Sequence, residues 1–204
     1  MARKRTARPA AAPLKPQEKL WSFLGLARLY SWALIGVSGA LVVVSLLLES
    51  TSEDGFSWSY LGVLAGVTGL TGLIFFPLLR VWLRKGGLPS VRLPDAQPVS
   101  GPRRLEATRG DWRRWGATTV VLLLVAAAAM LVFLVAVLGR GGTAEGVVIG
   151  VLLAWGLATL EDSRRIVVAE QEEGRRYYAA GRRPTGAGNR LVWVPVKGAR
   201  PAAG

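Results

Sequence analysis

Residues 58–79 read WSYLGVLAGVTGLTGLIFFPLL, and none of the 22 is charged. As an α-helix rising about 1.5 Å per residue, the run reaches roughly 33 Å, enough to cross a hydrocarbon core of about 30 Å. Arg80, Arg84 and Lys85 follow at once. Gly62, Gly66 and Gly69 recur at helical spacing, a face of small residues that lets another helix backbone come close. Length, packing face and exit charges together predict a membrane span.

Three further runs read the same way. Residues 29–48 precede it, and 117–138 and 143–160 follow. The third is the plainest, with VVLLLVAAAAMLVFLVAVL in its centre. In the fourth, Gly146, Gly150, Ala154 and Ala158 repeat every four residues and form a second small-residue ridge, the natural counterpart of the first. The fold class expected is an all-α integral membrane protein, a four-transmembrane-helix bundle built from two helical hairpins, 29–79 and 117–160. The plainer role of the two ridges is to pack this bundle; the sharper one is an interface with a second copy or a partner helix.

The charges lie between these runs. Residues 1–28 form a basic, Pro-containing N-terminal tail, of which 20–28 (LWSFLGLAR) either lies at the membrane interface or begins the first span. The tail lacks the short apolar core and small-residue cleavage site of a signal peptide. Residues 80–116 form a long connection with Pro89, Pro94, Pro98 and Pro102 in its first half, expected to be extended and without a core of its own. From Arg103 a short interfacial helix is expected, broken near Gly110 and ending in Trp112 and Trp115. Residues 161–204 form a charged tail. It begins as a helical continuation of the fourth span, supported by Glu161–Arg165 and Glu172–Arg176 at i,i+4, and weakens at Gly174. After Pro184 it reads as loop up to Leu191–Val196 (LVWVPV), which either adds as a strand to a partner, touches the membrane surface or stays loose.

Twenty-five of the 26 Lys and Arg fall in the N-terminal tail, the connection and the C-terminal tail, and only Arg140 falls in the two short turns. The positive-inside rule therefore places both termini in the cytoplasm. This asymmetry accounts for the net charge of +13 without a nucleic acid, for which no binding fold is visible. Arg outnumbers Lys 21 to 5 among abundant Ala, Gly, Val and Leu, a composition that points to a bacterium with a GC-rich genome and so to its inner membrane.

The chain has neither Cys nor His. Thiolate catalysis, iron–sulfur ligation and Cys or His metal sites are excluded, and the usual general base is absent. No phosphate loop or nucleophile elbow is present, and 29–48, 58–79, 117–138 and 146–160 hold no ionisable group of the kind that marks proton or ion pathways. No enzyme activity, cofactor or metal is expected. Glu161 and Asp162, at the inner end of the fourth span, either hold a cation or pair with Arg80; the plainer expectation is a solvated helix exit paired with Arg164 and Arg165. The basic pairs Arg103 and Arg104, Arg113 and Arg114, and Arg164 and Arg165 are candidates to contact anionic lipid of the cytoplasmic leaflet or a partner protein, as are Arg175, Arg176, Arg182 and Arg183. The expectation is a non-catalytic accessory, assembly or scaffold subunit with a membrane or cytoplasmic protein partner, or a homo-oligomer. The alternative is a small oligomeric transporter or lipid-handling protein.

Overall fold

Each of the four apolar runs is one helix in the computed structural model, which describes residues 18–51, 57–86, 93–99, 106–138, 142–184 and 189–196. They are α1 (Phe23–Ser50), α2 (Trp58–Gly86), α3 (Arg109–Leu138) and α4 (Thr143–Glu173). All four are long and apolar enough to cross a membrane, so the chain is a mostly helical, multi-pass membrane protein. The basic tail over 1–17 and the pair Arg103 and Arg104 lie outside the described residues.

Local chemistry sets the helix ends. Ser22 caps α1, its Oγ accepting from the Gly25 N–H at 3.2 Å, so the stretch 20–28 divides there into strand and helix. α3 does not break at Gly110. Thr108 and Asp111 form a reciprocal cap: Thr108 Oγ1 accepts from Asp111 N at 3.3 Å, and the Asp111 carboxylate accepts from Thr108 N at 3.0 Å. This satisfies donors at the first turn and lets the helix run unbroken from Arg109 into the membrane. α4 ends at Gly174, whose φ of 60° makes a left-handed cap with its N–H on Glu170 O.

The close packing follows a different order from the chain. α4 lies along both α2 and α1, and α3 packs on α1 and α4, whereas α1 and α2, neighbours in sequence, share no comparable interface. Glycine on α4 makes this possible. A Cβ on Gly150 would sit 2.8 Å from Thr68 O and 2.8 Å from Thr71 Cβ of α2. One on Gly156 would sit 2.8 Å from Ile35 Cγ1 of α1. Leu34 and Val37 of α1, Ala127 of α3, and Val148 and Leu152 of α4 fill the space between. Buried Ser31 and Ser38 bond back to Ala27 O and Leu34 O, each at 2.8 Å, as lone hydroxyls in apolar helices do.

At one end the bundle carries a four-stranded sheet that the sequence reading does not contain. Its strands are β1 (Lys19–Ser22), β2 (Gln97–Pro98), β3 (Arg175–Gly181) and β4 (Arg190–Pro195), in the order β1-β3-β4-β2. β1 runs straight into α1, and β3 follows directly from α4, so the helix pair α1–α4 continues as the antiparallel strand pair β1–β3. The expected loop before residue 191 lies mostly outside the described residues, and LVWVPV pairs with its own chain: Tyr178 lies opposite Val192, and Tyr177 opposite Trp193. The long connection touches both edges of the sheet. Gln97 and Pro98 pair in parallel with β4, and Glu106 bridges Leu20 of β1. One face buries Leu20, Val99, Tyr178, Ala180 and Val192. The other, with Trp21 and Ala179, packs on Leu26, Tyr30 and Trp112 of the helices. The connection therefore contributes to a core that composition alone did not predict for it.

A glycine substitution series separates the two faces of the helix packing. Gly150→Ala should lower stability by about 1–3 kcal/mol, since its methyl has backbone and Cβ neighbours that cannot move aside. Gly66→Ala, with nothing within 4 Å of the added atom, should leave stability equal or raise it by up to about 1 kcal/mol. Thermal unfolding of both variants in the same detergent measures this, and equal melting temperatures would contradict the packing.

Candidate functional site

The site with the most converging side chains lies where the sheet meets the foot of α3. Lys19 enters on β1, Arg114 on the second turn of α3, and Arg182 and Arg183 just past the end of β3. With Trp115 and Thr118 they line a cleft of about 190 Å³. Asp111, its one carboxylate, holds Lys19 Nζ at 2.7 Å. Trp21 closes the inner wall, its Nε1 donating to Gly181 O at 3.3 Å and its ring set edge-on to Trp112 with centroids 5.4 Å apart. The turn that carries Arg182 and Arg183 is shaped by Asn189, whose Nδ2 donates to Arg183 O at 2.8 Å and Pro184 O at 2.9 Å. Four basic side chains around one acid make this an anion-attracting cleft.

The residues singled out from sequence fall as follows. Arg113 and Arg114 are both exposed near the start of α3, and Arg114 alone lines the cleft. Arg164 and Arg165 are exposed on the last turns of α4, beside a shallow, open groove that includes Glu161, Val168 and Glu172. Glu161 pairs with Arg80 across α2 and α4, and with Arg165 at 3.6 Å. Of the expected partners, Arg80 on α2 and Arg165 one turn along α4 are thus used. Asp162, 2% exposed, is inside the packing rather than on a solvated helix exit.

Gly146, Gly150, Ala154 and Ala158 are buried on α4, with Gly146 set against Val67 and Leu64 of α2. Gly62, Gly66 and Gly69 are not brought to that interface: they are exposed, with nothing within 4 Å of an added Cβ. Leu64, Val67, Thr68 and Thr71 are the α2 residues that meet the α4 glycines. Glu145 lies inside α4, so the fourth helix is not free of charge; its Oε2 is shielded and has no hydrogen-bond partner among the described residues. Among the described residues no group of three or more acids could hold a metal ion.

Sequence reading missed Lys19 and Trp21 as members of the cleft. The one signal it could have used is Thr108-Arg-Gly-Asp111, a capping pattern that fixes the start of α3 and so places Arg114 three residues before the uncharged run 117–138.

The sheet adds two perturbed phenols. Tyr177 is buried against the end of α4, its N–H donating to Glu170 Oε1 at 3.0 Å and its hydroxyl to Glu173 Oε2 at 2.6 Å. Burial first, and then the hydrogen bond to Glu173, push its pKa up to about 12. Tyr178 is raised by burial and by its hydroxyl donating to Glu106 at 3.0 Å. Neither faces the cleft chemistry; both hold the sheet to its neighbours.

Compared with known protein families, curated proteins and solved structures, the chain matches none.

Because the folded state holds the Tyr177 proton more tightly than the unfolded chain, this contribution is complete below pH 10. It is lost as pH rises from 10 through about 12. The melting temperature should fall across that interval, and Tyr177→Phe should give a shallower fall while starting lower at pH 8. Tyrosinate absorbance near 295 nm should lag behind that of free tyrosine. A wild-type curve as flat as that of Tyr177→Phe would contradict the assignment.

Proposed function

We propose that this protein is a non-catalytic accessory or assembly subunit that docks another membrane helix through the glycine face of α2. The observation that carries this reading is the open row of Gly62, Gly66 and Gly69. Glycine costs helix stability, about 1 kcal/mol each against alanine, and here it makes no contact inside the bundle. In hydrocarbon, small residues at this spacing are what allows a partner backbone close enough for dispersion and weak Cα–H contacts. The partner is a helix of a second protein or of a second copy. The orientation follows the charge asymmetry: the sheet, with the connection and both termini, faces the cytoplasm of a bacterial cell and the short turns face outward.

The transporter alternative draws less support. α4 is closed against α1 and α2 at backbone distance, and the cluster of Leu34, Val37, Ala127, Val148 and Leu152 fills the remaining centre. Glu145 enters this packing from the opposite end, beside Leu41, Ser45 and Leu131.

Gly66→Leu provides the test, because it fills the docking face without any internal neighbour to displace. Affinity purification after crosslinking in native membranes should recover a partner with wild type and lose it, by about tenfold or more, with Gly66→Leu. Recovery at equal yield would remove α2 as the docking element. A reporter fused after Gly142 should show the outward side; cytoplasmic activity there would reverse the orientation.

A further inference from the structure

We propose that the basic cleft at the foot of α3 is a binding site for one anionic phospholipid, with the phosphate among Lys19, Arg114, Arg182 and Arg183. The inference is independent of the α2 docking face. It begins with convergence. The four cations come from three separate stretches of chain, and only the fold gathers them. Adjacent charges on a single helix turn are a surface property, but cations gathered from a strand, a helix and a turn around a cleft need an anion to offset their repulsion. Asp111 supplies one negative charge and is engaged with Lys19. Arg guanidinium groups bind phosphate in paired hydrogen bonds, which suits a phosphodiester better than a point counter-ion.

The depth of the cleft also fits a phospholipid. Thr118 lines the cleft, and the uncharged run 117–138 begins beside it. Trp112 and Trp115 stand just before that run, where aromatic side chains mark headgroup level. The cleft is therefore where lipid phosphates lie.

The face of α3 beyond the cleft selects a lipid over a soluble phosphate. Leu122 and Val125 follow Thr118 at i+4 and i+7, on the same face of α3, and are 61% and 62% exposed. A charged cleft thus continues directly into an open apolar stripe. An amphiphile with an anionic head and an acyl chain matches both parts, whereas inorganic phosphate or a sugar phosphate uses only the first. The groove beside Arg164 and Arg165 differs in charge, because Glu161 and Glu172 in its lining offset its two cations.

The test uses the full chain purified in a mild detergent and native mass spectrometry with dioleoyl phosphatidylglycerol, dioleoyl phosphatidylcholine and sn-glycerol 3-phosphate as probes. Wild type should retain one phosphatidylglycerol at least about fivefold more tightly than phosphatidylcholine. Arg114→Gln with Arg183→Gln should weaken that binding on the order of tenfold. Arg114→Lys with Arg183→Lys, which keep the charge but lose the paired hydrogen bonds, should recover part of it, as a merely misfolded variant would not. Arg164→Gln with Arg165→Gln should leave it within about twofold. Equal binding of the two lipids, equal loss in the Arg164 and Arg165 control, or equally weak binding by the Lys and Gln pairs would overturn the proposal. So would sn-glycerol 3-phosphate binding as tightly as the lipid.

Discussion

In a bilayer the solvent is as apolar as the side chains, so helices are not driven together by hydrophobic burial. They hold where their backbones come close enough for many short contacts. α4 meets this constraint on two sides. Gly146 and Gly150 admit α2, and Gly156 admits α1. Any side chain at Gly150 or Gly156 would meet backbone or a β- or γ-carbon of the neighbour at about 2.8 Å. The rest of the molecule depends on this approach. It aligns α1 with α4, and because β1 enters α1 and β3 leaves α4, it also sets the pairing of Leu20 with Ala180 and of Trp21 with Ala179.

The sheet is the other consequence. Once β1 and β3 are placed, β4 pairs antiparallel with β3, and the connection closes both edges at Gln97–Pro98 and at Glu106. Covered edges leave fewer open backbone groups for stray strand pairing. Charge pairs join the parts at their seams: Lys19 with Asp111, Arg190 with Glu18 at 2.7 Å, and Arg80 with Glu161. Partly exposed pairs of this kind add little stability each. Their value is in register, since each joins segments far apart in sequence.

The same arrangement divides the small residues by role. Those of α4 are consumed inside the bundle, while Gly62, Gly66 and Gly69 of α2 look outward. It likewise divides the cations. Arg114, Arg182 and Arg183 converge with Lys19, whereas Arg164 and Arg165 stay beside acids on the last turns of α4. Two surfaces therefore stand out on an otherwise ordinary helical bundle, one on the exposed glycine face of α2 and one where the sheet meets the foot of α3.

The four apolar runs were legible from sequence because the cost of placing a charge in hydrocarbon is local: a window of about 20 residues either bears it or does not. The small-residue ridge of α4 was legible for a related reason, since helical period alone puts Gly146, Gly150, Ala154 and Ala158 on one line. Which face of α2 meets that line was not, because periodicity shows that Gly62, Gly66 and Gly69 share a face but not where the face points. The sheet was hidden for a different reason. β1, β2 and the Glu106 bridge are only a few residues long, too short to show an alternating pattern, and they exist because partners distant in sequence supply their hydrogen bonds. The cleft has the same origin. The sequence determined that this chain has four apolar runs long enough to cross a membrane and that its basic residues collect outside them, in the two tails and the 80–116 connection. Only the tertiary structure decided that Lys19, Arg114, Arg182 and Arg183 meet, because their proximity depends on long-range packing and strand register rather than on any local preference.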